Sequence, residues 1–225
     1  MKHSAAHAML TGIAIACASC ASMADPVCGS LENAYGPFDY RTAKHQLRIV
    51  EKFHFTQDVE ALRQGSTGPV GGDLDYTLRA SPNHHRALNA MMNLAFKVRN
   101  DKPRGAQYTI ECYFDRAMRF APDDGEVLVL YGVYLARANH KQDAVQAFER
   151  ALKFEQQNPN VHYNLGLVYF DLKDYDNARK QAHLAYKLGS QLPGLRDKLK
   201  QANQWREPDA QAVSGDAPRA SGKAE

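Results

Sequence analysis

Two stretches of this chain, EVLVLYGVYLARANHKQDAVQAFERALKF (126–154) and NVHYNLGLVYFDLKDYDNARKQAHLAYKL (160–188), superimpose without a gap when Gly132 is laid on Gly166. Ala144 then falls on Ala178, and Ala151 on Ala185. A period of about 34 residues, with small residues at fixed places, predicts a pair of helices as the repeating unit. The glycines let the first helix of a pair approach the second closely. The alanines keep that contact tight, while Phe148 and Tyr169 fill the space that remains. Such a pair leaves one apolar face uncovered, so neighbouring pairs must stack to bury it. The expected fold class is all-α: a solenoid of stacked antiparallel helix pairs.

The same frame runs backwards with one flaw. TIECYFDRAMRFAPDD (109–124) reads as a second helix, with Phe114 and Ala117 each one period before Phe148 and Ala151. Its partner is HHRALNAMMNLAFKV, but an excess of about six residues near NDKPRGAQ separates the two, which predicts an enlarged turn. GGDLDYTLRASP reads as the closing helix of a preceding half-repeat, with Leu74 and Leu78 inward. At the other end LPGLRDKLKQANQW (192–205) spaces Leu195, Leu199, Ala202 and Trp205 as one face of a helix. That is a capping helix closing the exposed core, with Trp205 expected inside it.

These segments resemble the tetratricopeptide repeat. Leu165, Gly166, Tyr169, Ala178 and Ala185 sit at signature positions in one unit, and Gly132, Ala144, Phe148 and Ala151 in the other. Leu128 and His162 stand where the family usually has tryptophan, and Ala182 replaces a large aromatic. The stretch GGDLDYTLR followed by PNHHRALNAM also resembles a group of secreted bacterial tetratricopeptide proteins, without implying an activity. The resemblance implies a protein or peptide partner held in a concave groove lined by the first helix of each pair. In this frame the groove residues are Arg86, Asn89, Asn93, Val129, Val133, Tyr163, Asn164, Leu167 and Phe170. Families that clamp a C-terminal carboxylate place paired asparagines with lysine or arginine there. Here Asn89, Asn93 and Asn164 match only in part, which favours an apolar or extended segment with one anionic end.

The chain opens MKHSAAHAMLTGIAIACASCASMADP, with Lys2 as its one firm positive charge before an apolar run from Ala8 to Ala18. Small residues lead to Ser22-Met23-Ala24, the pattern of a cleaved secretory signal. The run is too short for a permanent membrane span. A periplasmic or secreted mature chain starting at Asp25 is expected; the rival is a lipoprotein anchored at Cys17 or Cys20. Without Lys2, 27 Lys and Arg face 25 Asp and Glu, so neither nucleic acid nor an anionic membrane is implied as partner. After cleavage only Cys28 and Cys112 remain, in a compartment that permits disulfides, so they are expected to pair. Cys112 lies two residues from inward-facing Phe114 and should be on the outer face of its helix.

Adjacent histidines, His84 and His85, raise the question of a metal site, with His54 and Asp73 as further ligands. Neighbouring helical residues do not face one another, and Pro82-Asn83, Pro122-Asp123 and Pro159-Asn160 recur at unit boundaries. The histidines therefore read as the first turn of a helix capped by Ser81 or Asn83. No metal, cofactor or catalytic residue is assigned; the alternatives are a lipid-anchored envelope-assembly component or a His/Asp metal-dependent enzyme. In the arm, Gly36-Pro37 interrupts YGPFDY. HQLRIVEKFHF reads as extended, TQDVEALRQG as a short helix from Thr56 to a stop at Gly65, and STGPVGG as a flexible turn. The division is a signal peptide (1–24), an arm (25–72), a repeat domain (73–205) and a disordered tail (206–225). The repeat domain comprises a half-repeat (73–81), an irregular repeat (82–122), repeats at 123–158 and 159–191, and the capping helix (193–205).

Overall fold

The computed structural model describes residues 27–207, and among these it has ten helices and no strand. The expected signal segment, Cys17, Cys20 and the tail from 208 onward lie outside the described residues. In chain order the helices are α1 (Lys44–His54), α2 (Gln57–Glu60), α3 (Val70–Ala80), α4 (His85–Val98) and α5 (Ile110–Phe120). Then come α6 (Gly125–Arg137), α7 (Lys141–Ala151), α8 (Pro159–Asp171), α9 (Tyr175–Lys187) and α10 (Gly194–Gln201). None is long and apolar enough to cross a membrane.

The pairs are α4/α5, α6/α7 and α8/α9. First helices touch in series, α4 with α6, α6 with α8, and α8 with α10, while α7 packs on α8 between pairs. The period is visible in the backbone. Asn139 (φ 66°) and Lys173 (φ 63°), one period apart, take the left-handed conformation at the turn inside each regular pair. Arg99 (φ 52°) does so at the end of α4, more than one period before Asn139. The excess therefore lies in the turn between α4 and α5.

Packing inside the pairs follows the small-residue pattern. A Cβ on Gly132 would come within 2.8 Å of the Phe148 ring, so the aromatic lies directly on the glycine. Ala144, Ala147, Ala151, Ala178, Ala182 and Ala185 are all buried. Where Ala182 replaces the family's aromatic, the space over Gly166 is taken by Leu195 of α10, whose Cδ2 would stand 2.5 Å from a Cβ there. The capping helix thus supplies from outside the bulk that the second helix lacks. Leu195 and Leu199 are fully buried, whereas Trp205 is only half-buried. It lies beyond α10, after Asn203 (φ 56°) has turned the chain, with its ring 4.6 Å from that of His183. It packs against the Leu195–Leu199 cluster as expected, but from its edge, because the helix stops before the fourth apolar position.

Three more expectations are corrected at the N-terminal side. HQLRIVEKFHF forms α1, because burying Leu47 and Val50 against α3 selects the helical spacing. Thr56 caps α2 as expected, but α2 ends at Glu60, well before Gly65, and Leu62 (φ 56°) makes the turn. Residues 66–69 wrap the Asp73 carboxylate, which accepts hydrogen bonds from the Ser66 and Thr67 backbone N–H groups at 2.7 and 3.2 Å. The glycines that follow lie in the first turn of α3.

The arm lies over the second-helix layer. Cys28 and Cys112 form a disulfide, with Cα atoms 5.0 Å apart. Arg116 of α5 donates to the Cys28 and Ser30 carbonyls at 3.1 and 2.6 Å, and Arg119 to the Gly29 carbonyl at 3.0 Å. Arg79 of α3 donates to Asn33 Oδ1 at 3.0 Å, and the Phe38 N–H to the Ala80 carbonyl at 2.9 Å. Gly36 (φ 98°) is required at this crossing: a Cβ would sit 2.4 Å from the Ala80 carbonyl oxygen.

Candidate partner-binding face

The histidine pair belongs to the scaffold. His84, not Ser81 or Asn83, caps α4: its Nδ1 accepts from the Ala87 N–H at 3.2 Å. With Nδ1 accepting, the ring proton is on Nε2, 3.1 Å from Glu51 Oε1. Burial pushes the His84 pKa down to about 3, so the imidazole is neutral. Asn83 is committed elsewhere. Its side-chain amide donates to Asp39 Oδ1 and Asp124 Oδ2 at 2.9 and 2.8 Å and accepts from the Tyr40 N–H. His85 Nε2 lies 2.9 Å from both Asp124 oxygens, and His54 Nδ1 lies 3.0 Å from Asp73 Oδ1.

Each of the three histidines therefore takes its own carboxylate. Among the described residues no group of three or more His, Cys, Asp or Glu is placed to hold a metal ion. Asp124 is the centre of the arrangement. It caps α6 by accepting from the Val127 N–H at 3.4 Å and has Arg41 at 3.7 Å. Burial works to raise its pKa, but the hydrogen bonds from His85 and Asn83, with Arg41 nearby, more than offset that and hold the carboxyl below its ordinary range.

The predicted groove residues fall into three groups on the α4–α6–α8 face. Arg86, Asn89 and Asn93 form a polar line along α4. Arg86 is engaged by Glu60 of α2, while Asn93 donates to Asn89 Oδ1 at 3.3 Å and accepts from Arg137 at 2.6 Å. Val133, Asn164 and Leu167 surround a depression of about 240 Å³ between α6 and α8, together with Ala136, Arg137, Phe148, Val168 and Asp171. One residue is corrected. Val129 is 6% exposed and belongs to the core where α4 meets α6. Tyr163, Leu167 and Phe170 are half-buried and pack against the Leu195–Leu199 cluster of α10, which leaves each of them partly exposed.

Arg137 is the residue the sequence reading missed. Val129, Val133 and Arg137 are successive steps of four along α6, and one more step reaches it. Its guanidinium lies 4.0 Å from the Phe96 ring centroid, and its hydrogen-bond partner among the described residues is the neutral Asn93. Burial alone pulls its pKa below the ordinary arginine value. The face thus presents an apolar depression beside a guanidinium that has no carboxylate partner among the described residues.

Stacked antiparallel helix pairs with a polar and apolar first-helix face define an α-solenoid of the kind that scaffolds protein contacts. Residues 141–181 match the TPR repeat model, so this part of the chain carries the tetratricopeptide repeat. Over 106 residues the chain is 29% identical to protein O-mannosyl-transferase TMTC3 of Homo sapiens, which is 47% of this chain and 11% of that protein. Over 99 residues it is 30% identical to the Mus musculus counterpart, covering 44% of this chain and 10% of the other. The matched stretch is thus about a tenth of these curated relatives. A solved structure named MamA MSR-1 C2 is 13% identical, with a TM-score of 0.44 over 67% of this chain and 80% of that one.

Proposed function

We propose that this chain is a non-catalytic adaptor of the periplasm or extracellular space that binds an extended protein or peptide segment on its α4–α6–α8 face. The observation that carries the reading is the depression between Val133 and Leu167 with Arg137 at its edge. Extended segments deliver alternate side chains to one surface, so an apolar side chain fills the depression while a neighbouring carboxylate meets Arg137. Asn89, Asn93 and Asn164 supply amide groups to the segment's backbone. The stretch shared with the mannosyl-transferases is read as repeat architecture, and no transferase chemistry is assigned.

The test begins with affinity capture of partners by the mature chain. A captured partner should bind the Asn89→Ala, Arg137→Ala double variant at least about tenfold more weakly, a loss of about 1.4 kcal/mol. Its melting temperature and helical signal should be unchanged, since both side chains are solvent-facing. Normal binding by this variant, with loss of capture on changes at the α5–α7 side, would overturn the assignment.

A further inference from the structure

The free end of the solenoid carries a second surface. Helix α1 buries Leu47 and Val50 against α3 and leaves Ile49 and Phe53 about half exposed (50% and 49%). Tyr35 of the arm stands beside them at 37% exposure. With Val50, His54 and Tyr76 these side chains surround a cavity of about 270 Å³. A solenoid end is where another helix would stack to cover the core, and here no helix among the described residues stacks over these three large apolar side chains.

The flank of this socket is basic. At 100° per residue, His45, Lys52 and Arg48 follow Ile49 around the helix, and all three are exposed. Among the described residues none of them has an ion-pair partner. The helix's one acid, Glu51, faces His84 instead, and Lys44 lies over the Tyr40 ring. The sequence as a whole is close to charge balance, so the positive charge here is local to the socket.

We propose that α1 and Tyr35 form a docking site for an acidic amphipathic helix of a partner protein. One large apolar side chain of that helix fills the socket, and Asp or Glu on its flank faces Arg48 and Lys52. The recess favours this occupant over an anionic bilayer, because insertion into lipid calls for an apolar ridge that stands out from the surface. A knob entering a hole between side chains is the ordinary mode of helix-on-helix packing. The site is independent of the α4–α6–α8 face.

The test places the photo-crosslinking residue p-benzoylphenylalanine at position 53 of the full chain in cells that produce it. The crosslinked peptide is then identified by mass spectrometry. The expected adduct is to a segment of another protein with apolar residues at helical spacing and a surplus of Asp and Glu. Arg48→Glu with Lys52→Glu should lower its yield at least about tenfold, with the melting temperature unchanged. The Asn89→Ala, Arg137→Ala variant should leave the adduct intact, so this site and the first can fail separately. Absence of an adduct, an adduct to the chain's own tail or to a second copy, or a yield indifferent to charge reversal would overturn the proposal. So would binding to phosphatidylglycerol vesicles that the same charge reversal abolishes.

Discussion

At the boundary ahead of α6, Asn83, His85 and Arg41 all converge on Asp124. At the equivalent boundary ahead of α8, Asn158 accepts from the Asn160 N–H, and its side chain reaches only Glu155. The contrast extends over both halves. Asp73, Asp75, Thr77, Ser81, Asn83, His84, Arg116 and Asp124 are buried, whereas beyond Asp124 the sole buried polar residue among those described is His162. The C-terminal pairs fit chiefly because small residues recur, with few side-chain hydrogen bonds between helices, such as that of His162 to Gln181 at 2.7 Å. The N-terminal half must hold an arm with no repeat to guide it. Directional bonds do that work, since a buried donor or acceptor is costly unless it meets one particular partner.

The largest expected effect breaks that contrast directly. Asp124→Ala removes a helix cap and strands Asn83 and His85, and should cost about 3–5 kcal/mol in urea denaturation, as for loss of one partner in a buried charged network. Asn158→Ala removes only a cap and should cost about 1 kcal/mol. Equal costs would show that the two boundaries work alike. Leu195→Ala empties the space over Gly166 and should cost about 3 kcal/mol. Hydrogen exchange should rise in α10 and α8 and stay unchanged in α4.

Reducing the Cys28–Cys112 disulfide should remove about 2–4 kcal/mol, the usual range for a disulfide, and raise exchange over the arm and α5. Free thiols in unreduced, denatured protein that starts at Asp25 would sink that prediction. The smallest effect is the pH response of His84. Its folded pKa, about 3, lies below the ordinary 6.5, so the unfolded chain binds the extra proton between these values. Its stabilisation is therefore complete above pH 6.5 and falls on acidification, by about 1–2 kcal/mol at pH 5. Loss of amide protection should begin at the start of α4; if α8 and α9 respond first, His84 is not the sensitive group.

The repeat half was legible because its information is periodic. Gly132, Gly166 and the paired alanines declare both the helix pairs and their packing, and the excess near NDKPRGAQ marked the enlarged turn. Helix α1 was hidden because Leu47, Ile49, Phe53 and Phe55 follow a strand-like alternation. Only contact with α3 picks out Leu47 and Val50 as the buried pair. The cap was misplaced because asparagine outranks histidine as a local capping residue. Nothing near Asn83 in the sequence says that its amide is used by Asp39 and Asp124, 44 and 41 residues away on either side. Of the proposed binding face, the α4 line and the residues Val133 and Leu167 were visible as helical steps. The contact of Tyr163, Leu167 and Phe170 with α10 depended on where that helix docks.

The fit of Leu195 over Gly166 bears on how this protein can change in evolution. In an array of interchangeable units, recombination adds or deletes one without penalty to the rest. Here the last unit carries Ala182, and the neighbour that follows brings Leu195 to fill that spot. A duplicated copy of 159–191 would present Val161 there, one period before Leu195 and shorter than it. Joining α10 directly after α7 would drive Leu195 toward the place where Phe148 already lies on Gly132. Gain and loss of a unit are both penalised at this joint, so a change in the number of repeats calls for compensating changes in the residues that meet there.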